Sequence, residues 1–277
     1  MIQQNINTPE LISIIKNSIY NSLPLSIVRC GDGEMHMLKN PNDFIQKSHK
    51  LIYHRSMCIN IHRDFNWKCA VHSNTIEKPK ACECYLKVPR FLDWINNSKK
   101  IISYAIKYSD YVGLVVPGKN SNFYSISNDV IGRYGINTNK LKIISSLFPG
   151  EETFGSLNSF KSIIQGNDIH IITSNVDRFV KGDIDKLLGV NISYTDISKG
   201  RSIDPNIKTH VKESIKNTDK QIILFGGGYA IKDLIPWSSK KYGKISIDVG
   251  SVLDAWSGYQ SRRMFLDSRF EYLNWIK

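Results

Sequence analysis

Short apolar runs alternate along the chain with longer stretches in which apolar residues recur at helical spacing. The short runs are rich in β-branched residues and end in glycine, proline or polar residues, which is typical of buried strands. We predict strands at residues 25–30, 111–117, 168–174, 190–197, 221–227 and 244–250. We predict helices between them, at residues 90–109, 155–166, 176–189, 206–217 and 229–243. This alternation predicts an α/β fold, a mostly parallel sheet with helices on both faces.

A further helix is predicted before the first strand, over residues 11–23. The preceding Thr8-Pro9-Glu10 offers a cap, a first-turn proline and an early acidic residue, which together indicate a helix start. Another helix is predicted to begin with residues 35–40, directly after the first strand and its turn.

The length of 277 residues fits a single domain over residues 1–277. Residues 41–90 hold most of the cysteines and histidines and show no clear period, so we predict an insertion over one end of the sheet. Four side chains in this segment have the chemistry of zinc ligands, namely Cys69, His72, Cys82 and Cys84. Their spacing is irregular for a zinc ribbon or finger, which favours ordinary reduced thiols.

The first predicted strand runs into Arg29 and then into Gly31-Asp32-Gly33-Glu34. In an open α/β sheet, ligands bind outside the carboxyl ends of the strands, where this turn lies. Asp32 and Glu34 offer hard oxygen ligands for Mg²⁺ or Mn²⁺, which characteristically bridge carboxylates to nucleotide phosphates. The alternatives are a simple polar turn for the acids and a salt bridge to one of them for Arg29.

A second motif follows the strand at 221–227, where Gly226, Gly227 and Gly228 precede a predicted helix. Such a turn lets backbone amides approach phosphate, although glycines serve close helix packing equally well. Asp248 ends the next strand about 20 residues on, as the ribose-binding acid does in dinucleotide-binding units. An NAD(P)-dependent oxidoreductase is therefore the alternative function, but Ile231 stands where that fingerprint needs glycine or alanine.

Two further stretches carry candidate polar residues. After Asp248 come Asp254, Arg262 and Arg263, which suit either acceptor hydroxyls and phosphate or surface ion pairs. Glu151 and Glu152 lie in a loop before a helix, where acids are also expected because of the helix dipole.

The formal net charge is +12, which favours anionic partners. The lysines are spread over the helices without a concentrated basic run, so we expect no nucleic-acid partner. No Gly-x-Ser-x-Gly or Cys/His arrangement indicates a covalent nucleophile. The start of the chain lacks a secretory pattern and no apolar stretch is long enough to span a bilayer, so we expect a cytoplasmic protein.

The stretch "SIVRCGDGEMHML" resembles the Arg-x-Gly-Asp-Gly-Glu signature of the bacterial GT-D type glycosyltransferases. The stretch "ILFGGGYAIKDLIPWSSKKYGKISIDVGSVLD" is similar to the closing pattern of the same family, a strand, a Gly-rich turn, a helix and a strand ending in Asp-x-Gly. The chain departs from that family at Gly226-Gly227-Gly228, where Gly-Pro or Gly-x-Ala is frequent, and at Ser251, where histidine is frequent.

The resemblance implies a Rossmann-like fold and a nucleotide-sugar donor, typically a UDP-sugar, used with a divalent metal, typically Mn²⁺. It implies that Asp32 and Glu34 form the metal and diphosphate site, which Arg29, Gly31 and Gly33 shape. The acceptor would be a glycan, a lipid-linked molecule or a protein, and the positive charge suits peripheral association with the cytoplasmic membrane face.

An inverting reaction needs a general base, for which Asp248 is the first candidate and Glu152 the second. Arg263 is expected to bind donor or acceptor phosphate. Because like-charged carboxylates repel, we also expect that Asp32→Asn and Glu34→Gln leave the fold intact or stabilise it.

Overall fold

The computed structural model describes residues 4–31, 34–35, 38, 89–115, 121–134, 136–174, 176–181, 184–197, 205–250 and 252–256. Its strands are β1 (Leu25–Arg29), β2 (Tyr111–Leu114), β3 (Lys142–Ser145), β4 (Ile169–Thr173), β5 (Ile192–Asp196), β6 (Ile222–Phe225) and β7 (Ile245–Asp248). They form a seven-stranded sheet in the order β3-β2-β1-β7-β6-β4-β5, in which all neighbours are parallel. β1 and β7 therefore lie side by side near the centre of the sheet.

Helices precede, connect and follow these strands. Their bounds are α1 (Thr8–Tyr20), α2 (Pro89–Tyr108), α3 (Ser121–Arg133), α4 (Glu152–Gly155), α5 (Leu157–Ile164), α6 (Val176–Lys181), α7 (Ile184–Leu188), α8 (Pro205–Asn217), α9 (Leu234–Tyr242) and α10 (Val252–Trp256). Short 3-10 turns cover Thr138–Lys140, Phe148–Gly150 and Gly228–Ile231. Among the described helices, none combines the length and the apolar character needed to cross a bilayer.

The core has two halves, one on each face of the sheet. Val28 in β1 packs in a cluster with residues of α2, α8 and α9. Its neighbour Ile27 packs in the other cluster, with residues of α1, α5 and α10. Successive strand residues point to opposite faces, and both faces are covered, so the strands read as nearly continuous apolar runs. The predicted fold class, a Rossmann-like parallel sheet with helices on both faces, is confirmed.

The structure differs from the sequence-based prediction in several elements. β3, α3, α4 and α10 were not predicted, and the helix predicted over 176–189 is split into α6 and α7. The helix predicted over 229–243 begins with a 3-10 turn and becomes α-helical only at Leu234. The cap of α1 is Asn7 rather than Thr8, because the Asn7 Oδ1 accepts a hydrogen bond from the Glu10 amide at 2.8 Å. Only residues 89 and 90 of the predicted insertion are described, and they begin α2; the candidate zinc ligands lie outside the described residues.

The chain leaves β1 and β7 toward opposite faces of the sheet. After β1, Cys30 and Met35 join the cluster with α2 and α9. After β7, Val249 and Val252 join the cluster with α1 and α5. Neighbouring parallel strands whose continuations separate in this way leave a crevice at their carboxyl ends, which is where α/β proteins bind ligands. The crevice between β1 and β7 is therefore the place to look for a site.

A polar cluster is buried elsewhere in the sheet, around His170 in β4. Its Nδ1 contacts Ser193 Oγ at 2.7 Å, and its Nε2 contacts Thr195 Oγ1 at 2.8 Å and Ser214 Oγ at 3.0 Å. The residue is 3 % exposed. Burial and then the positive charge of Lys244 lower the pKa of His170 to about 4, so the ring is neutral at pH 7.

We predict that His170 makes stability fall with acidification. The unfolded chain binds a proton at this residue below its ordinary pKa of 6.5, whereas the folded protein does so only near pH 4. The free energy of unfolding should therefore drop by about 3 kcal/mol from this residue as the pH falls from 6.5 to 4. Urea titrations at several pH values should show a shallower drop for His170→Gln. The exposed His210→Gln is the control, and equal slopes for wild type and His170→Gln would contradict the prediction.

Candidate functional site

Three oxygen atoms surround the ammonium group of Lys232 at the carboxyl ends of β1 and β7. Lys232 Nζ donates a hydrogen bond to the Arg29 carbonyl at 2.6 Å and a shorter one to Asp248 Oδ2. Glu34 Oε1 lies 3.3 Å from the same nitrogen. Lys232 is only 4 % exposed. This lysine therefore links the turn after β1, the last residue of β1 and the last residue of β7.

The charges keep Lys232 protonated inside the protein. Burial disfavours the ammonium, but Asp248 and then Glu34 outweigh it, so the pKa of Lys232 is raised above its ordinary value. A buried ammonium without partners would instead lose its proton or destabilise the fold. The cluster is thus an ion pair network whose parts depend on one another.

The carboxylate of Glu34 has a partner at each oxygen. Oε1 faces Lys232, and Oε2 accepts a hydrogen bond from the Gly31 amide at 3.0 Å. Burial would raise the pKa of Glu34, but the charge of Lys232, a backbone hydrogen bond and the charge of Arg29 together lower it. Glu34 and Met35 are helical, which agrees with the predicted helix after the turn.

Arg29 fastens the ends of three strands. Its Nε donates to the Ser146 carbonyl after β3 at 2.6 Å, and its Nη1 donates to the Val249 carbonyl after β7 at 3.2 Å. Its own amide donates to Asp248 Oδ2 at 3.2 Å. The predicted anion-binding arginine therefore lies in the crevice and is bonded to backbone carbonyls there.

Two glycines make room for the Arg29 side chain. A Cβ at Gly113 in β2 would lie 3.3 Å from Arg29 Cγ and 3.2 Å from Ser146 Cα. A Cβ at Gly250 would lie 2.5 Å from Arg29 Nη1, and Gly250 has φ +53°, which side chains rarely adopt. The arginine can cross the strand ends because neither neighbour carries a side chain.

The Gly-rich turn after β6 has mixed roles. A Cβ at Gly226 would lie 2.6 Å from Leu253 Cδ1, and one at Gly227 would lie 2.2 Å from Ile231 Cδ1. Close packing therefore accounts for these two glycines, which is the simpler interpretation of the motif. Gly228 has φ +63° and open space at its Cβ position, so its backbone is the part of the turn that a ligand can approach.

The geometry of this turn disfavours the dinucleotide-binding alternative. Gly228 opens a 3-10 turn, and the α-helix starts only at Leu234, so no long helix begins at the glycines. Asp248, the candidate ribose ligand, is 5 % exposed and accepts hydrogen bonds from Lys232 and from the Arg29 amide. This environment suits a carboxylate that holds Lys232 better than one that meets a ribose or an acceptor hydroxyl.

Several predicted site residues lie outside the described part of the chain, namely Asp32, Gly33 and Arg263. Glu152 is the first residue of α4, and its side chain is not described. Their roles stay predictions. Among the described residues, no group of three or more histidine, cysteine and acidic side chains could hold a metal ion.

Glu34 has the right chemistry for one ligand of a divalent cation. Among the described residues, each oxygen of its carboxylate has one partner, and an ionised carboxylate oxygen has two lone pairs, so these contacts leave acceptor capacity on both. Glu34 is therefore able to contribute one carboxylate ligand to a divalent cation.

Lys232 is the member of this cluster that sequence analysis did not single out. In the segment Ala230–Ile235, Lys232 and Asp233 stand between two pairs of apolar residues. A lysine in a predicted helix is normally exposed. The available signal was the set of buried neighbours, because Ala230, Ile231, Leu234 and Ile235 are all apolar. A lysine between them has little chance of reaching solvent.

No family model and no curated protein matches the chain. Among solved structures, it is similar to one described as the selenomethionine-substituted structure of domain of unknown function 1792 (DUF1792). The two chains are 15 % identical, with a TM-score of 0.47, and the match covers 89 % of this chain and 78 % of that chain.

We predict that Glu34→Gln destabilises the protein, contrary to the relief from repulsion expected from sequence. The change removes one of two acidic partners from Lys232, which should lower the free energy of unfolding by about 2 kcal/mol at pH 7. Because the folded pKa of Glu34 is lowered from 4.5, its contribution is present above pH 4.5 and is lost as the pH falls through the folded value.

Urea titrations at pH 7 and pH 3.5 measure this effect. The difference between wild type and Glu34→Gln should shrink at the lower pH. Glu213→Gln on the exposed surface of α8 is the matched control, with an expected change of less than about 0.5 kcal/mol. A Glu34→Gln variant as stable as wild type at pH 7 would show that the contact with Lys232 contributes nothing.

Proposed function

We propose that the protein is a metal-dependent glycosyltransferase that moves a sugar from a nucleotide-diphosphate donor, a UDP-sugar, to a glycan, lipid-linked or protein acceptor. The observation that carries this proposal is the convergence of Glu34 and Asp248 on Lys232. It unites the two sequence stretches that resemble GT-D glycosyltransferases in one crevice. The crevice lies at the carboxyl ends of central parallel strands, where nucleotides bind in α/β proteins.

The proposed cofactor is Mn²⁺ or Mg²⁺, held by Asp32 and Glu34. When bound, it would offset the charge of the diphosphate and stabilise it as a leaving group. The choice of these ions follows from the hard carboxylate oxygens of the motif.

In this proposal, each residue of the crevice has a different role in binding the donor. The Gly31 amide fixes Glu34 Oε2, which limits the carboxylate to one orientation. Arg29 holds the strand ends that form the wall of the crevice and adds positive charge beside the diphosphate. The open backbone at Gly228 lets the donor approach the sheet edge, and Arg263 is the proposed additional phosphate ligand.

An inverting transfer needs a base to accept the proton of the acceptor hydroxyl. Asp248 is a weak candidate on geometry, because its Oδ2 already accepts from Lys232 and from the Arg29 amide. Glu152 thus becomes the better candidate of the two. The positive charge of +12 supports peripheral association with an anionic membrane face as part of the proposal.

We predict that Asp32→Asn and Glu34→Gln each abolish metal-dependent turnover. An amide keeps the shape of the side chain but loses the charge that holds a hard cation. The assay is release of UDP from a panel of UDP-sugars with and without Mn²⁺, at a temperature well below the melting point of each variant. Isothermal titration should show tighter UDP binding by the wild type with Mn²⁺ than without, and both variants should lose most of that difference.

Asp219→Asn is the matched control, since the Asp219 side chain is 84 % exposed and lies before β6, at the end of the strands opposite the crevice. It loses the same charge and should behave as wild type. Full metal-dependent turnover in both site variants would contradict the proposed metal site. Absence of UDP binding by the wild type, with NADH binding in its place, would favour the oxidoreductase alternative.

A further inference from the structure

We propose that Lys232 is a positioning residue, an internal cation that holds the Glu34 carboxylate in the orientation needed for donor binding. This inference rests on the proposed function only for its binding measurements, because its stability measurements need no nucleotide. It assigns a role to a residue in neither motif, and it gives Asp248 a structural role in place of a catalytic one.

The first support is that oxygen atoms of the described residues surround the charge of Lys232. Its ammonium is buried, and within that part of the chain it contacts the Arg29 carbonyl, Asp248 Oδ2 and Glu34 Oε1. An ammonium has three protons to donate, so these oxygens match its capacity. The geometry is that of a fixed group rather than a mobile surface lysine.

The second support is the way the Glu34 side chain is held from two sides. Lys232 comes from the segment after β6, whereas the Gly31 amide belongs to the same turn as Glu34. Of the two contacts seen among the described residues, removal of Lys232 would leave the hydrogen bond within the turn to orient the carboxylate. Partners that orient a metal-binding carboxylate commonly change metal affinity by about 10- to 100-fold.

The third support is the division of labour between the two acids. Asp248 is the more buried of the two and makes the shorter contact with Lys232. It also accepts from the Arg29 amide, which ties it to the strand next to its own. Asp248 thus anchors the lysine, and the lysine positions Glu34.

The test compares Lys232→Met with the double variant Lys232→Met/Asp248→Asn. The single variant leaves two buried carboxylates without their cation, so its melting temperature should fall by on the order of 10 °C. The double variant removes one of those charges and should recover a large part of that loss. The combination with Glu34→Gln should likewise be less destabilised than the sum of the single changes, as expected for residues in one network. Lys208→Met, which breaks the more exposed pair with Asp233, is the control for losing a lysine.

Binding separates positioning from a purely structural role. The double variant, although restored in stability, should bind UDP with Mn²⁺ about tenfold more weakly than wild type, because Glu34 has lost its anchor. Asp248→Asn alone keeps Lys232 beside Glu34. Its affinity for UDP with Mn²⁺ should therefore fall by less than about threefold, which is less than half of the tenfold loss on a logarithmic scale. Wild-type affinity in the double variant would overturn the proposal.

The stability measurements test the proposal without any measurement of nucleotide binding. Additive effects of Lys232→Met and Asp248→Asn on melting temperature would show that the two residues do not form one network. Conversely, if wild type binds no UDP while the stability changes are strongly non-additive, the proposed function fails and the role of Lys232 in holding Glu34 stands.

Discussion

A buried ammonium needs oxygen atoms around it, and the arrangement of this site follows from meeting that need at Lys232. Its partners come from the end of β1, the turn after β1 and the end of β7, and the Arg29 carbonyl is 203 residues away in the sequence. The two strands must be neighbours and parallel for these oxygens to meet, and the sheet order provides that. The fold and the candidate site therefore depend on each other. Strand pairing brings the two acids together, and the charge of the lysine offsets the cost of burying them.

The strands were predictable because parallel strands covered on both faces are rich in apolar residues, as in Ile222–Phe225, where all four residues are apolar and buried. β3 escaped notice since it has four residues, lies at the sheet edge and begins with the exposed Lys142. The burial of Lys232 was not predicted because lysine is usually exposed. Its burial follows from tertiary contacts, which the local sequence does not show. Local pattern determines where strands run, whereas the partners of a buried charge depend on residues far apart in sequence.

The Gly-rich turn shows why a motif underdetermines function. Three consecutive glycines suggest a phosphate-binding backbone, yet Gly226 and Gly227 are accounted for by Leu253 and Ile231, which occupy the space of their missing side chains. Gly228 differs, because its positive φ and open surroundings concern the backbone itself. Close packing and ligand approach thus both favour glycine at adjacent positions, and the three-dimensional structure is needed to tell which reason applies at each one. The same holds for Gly250, whose absent Cβ leaves room for the Arg29 guanidinium.

Charge balance in the crevice gives a physical reason for a cation in the proposed reaction. Among the described residues there, the positive charges of Lys232 and Arg29 equal the negative charges of Glu34 and Asp248. Lys232 contacts both acids, and Arg29 donates to two backbone carbonyls, which fix its position and leave its charge in place. Because these four charges sum to zero, a diphosphate entering the crevice gains little net attraction from the cluster as a whole. The overall charge of +12 acts at longer range and is screened by salt. In the proposed reaction, the divalent ion on Asp32 and Glu34 would add positive charge to this balanced cluster where the diphosphate is proposed to bind.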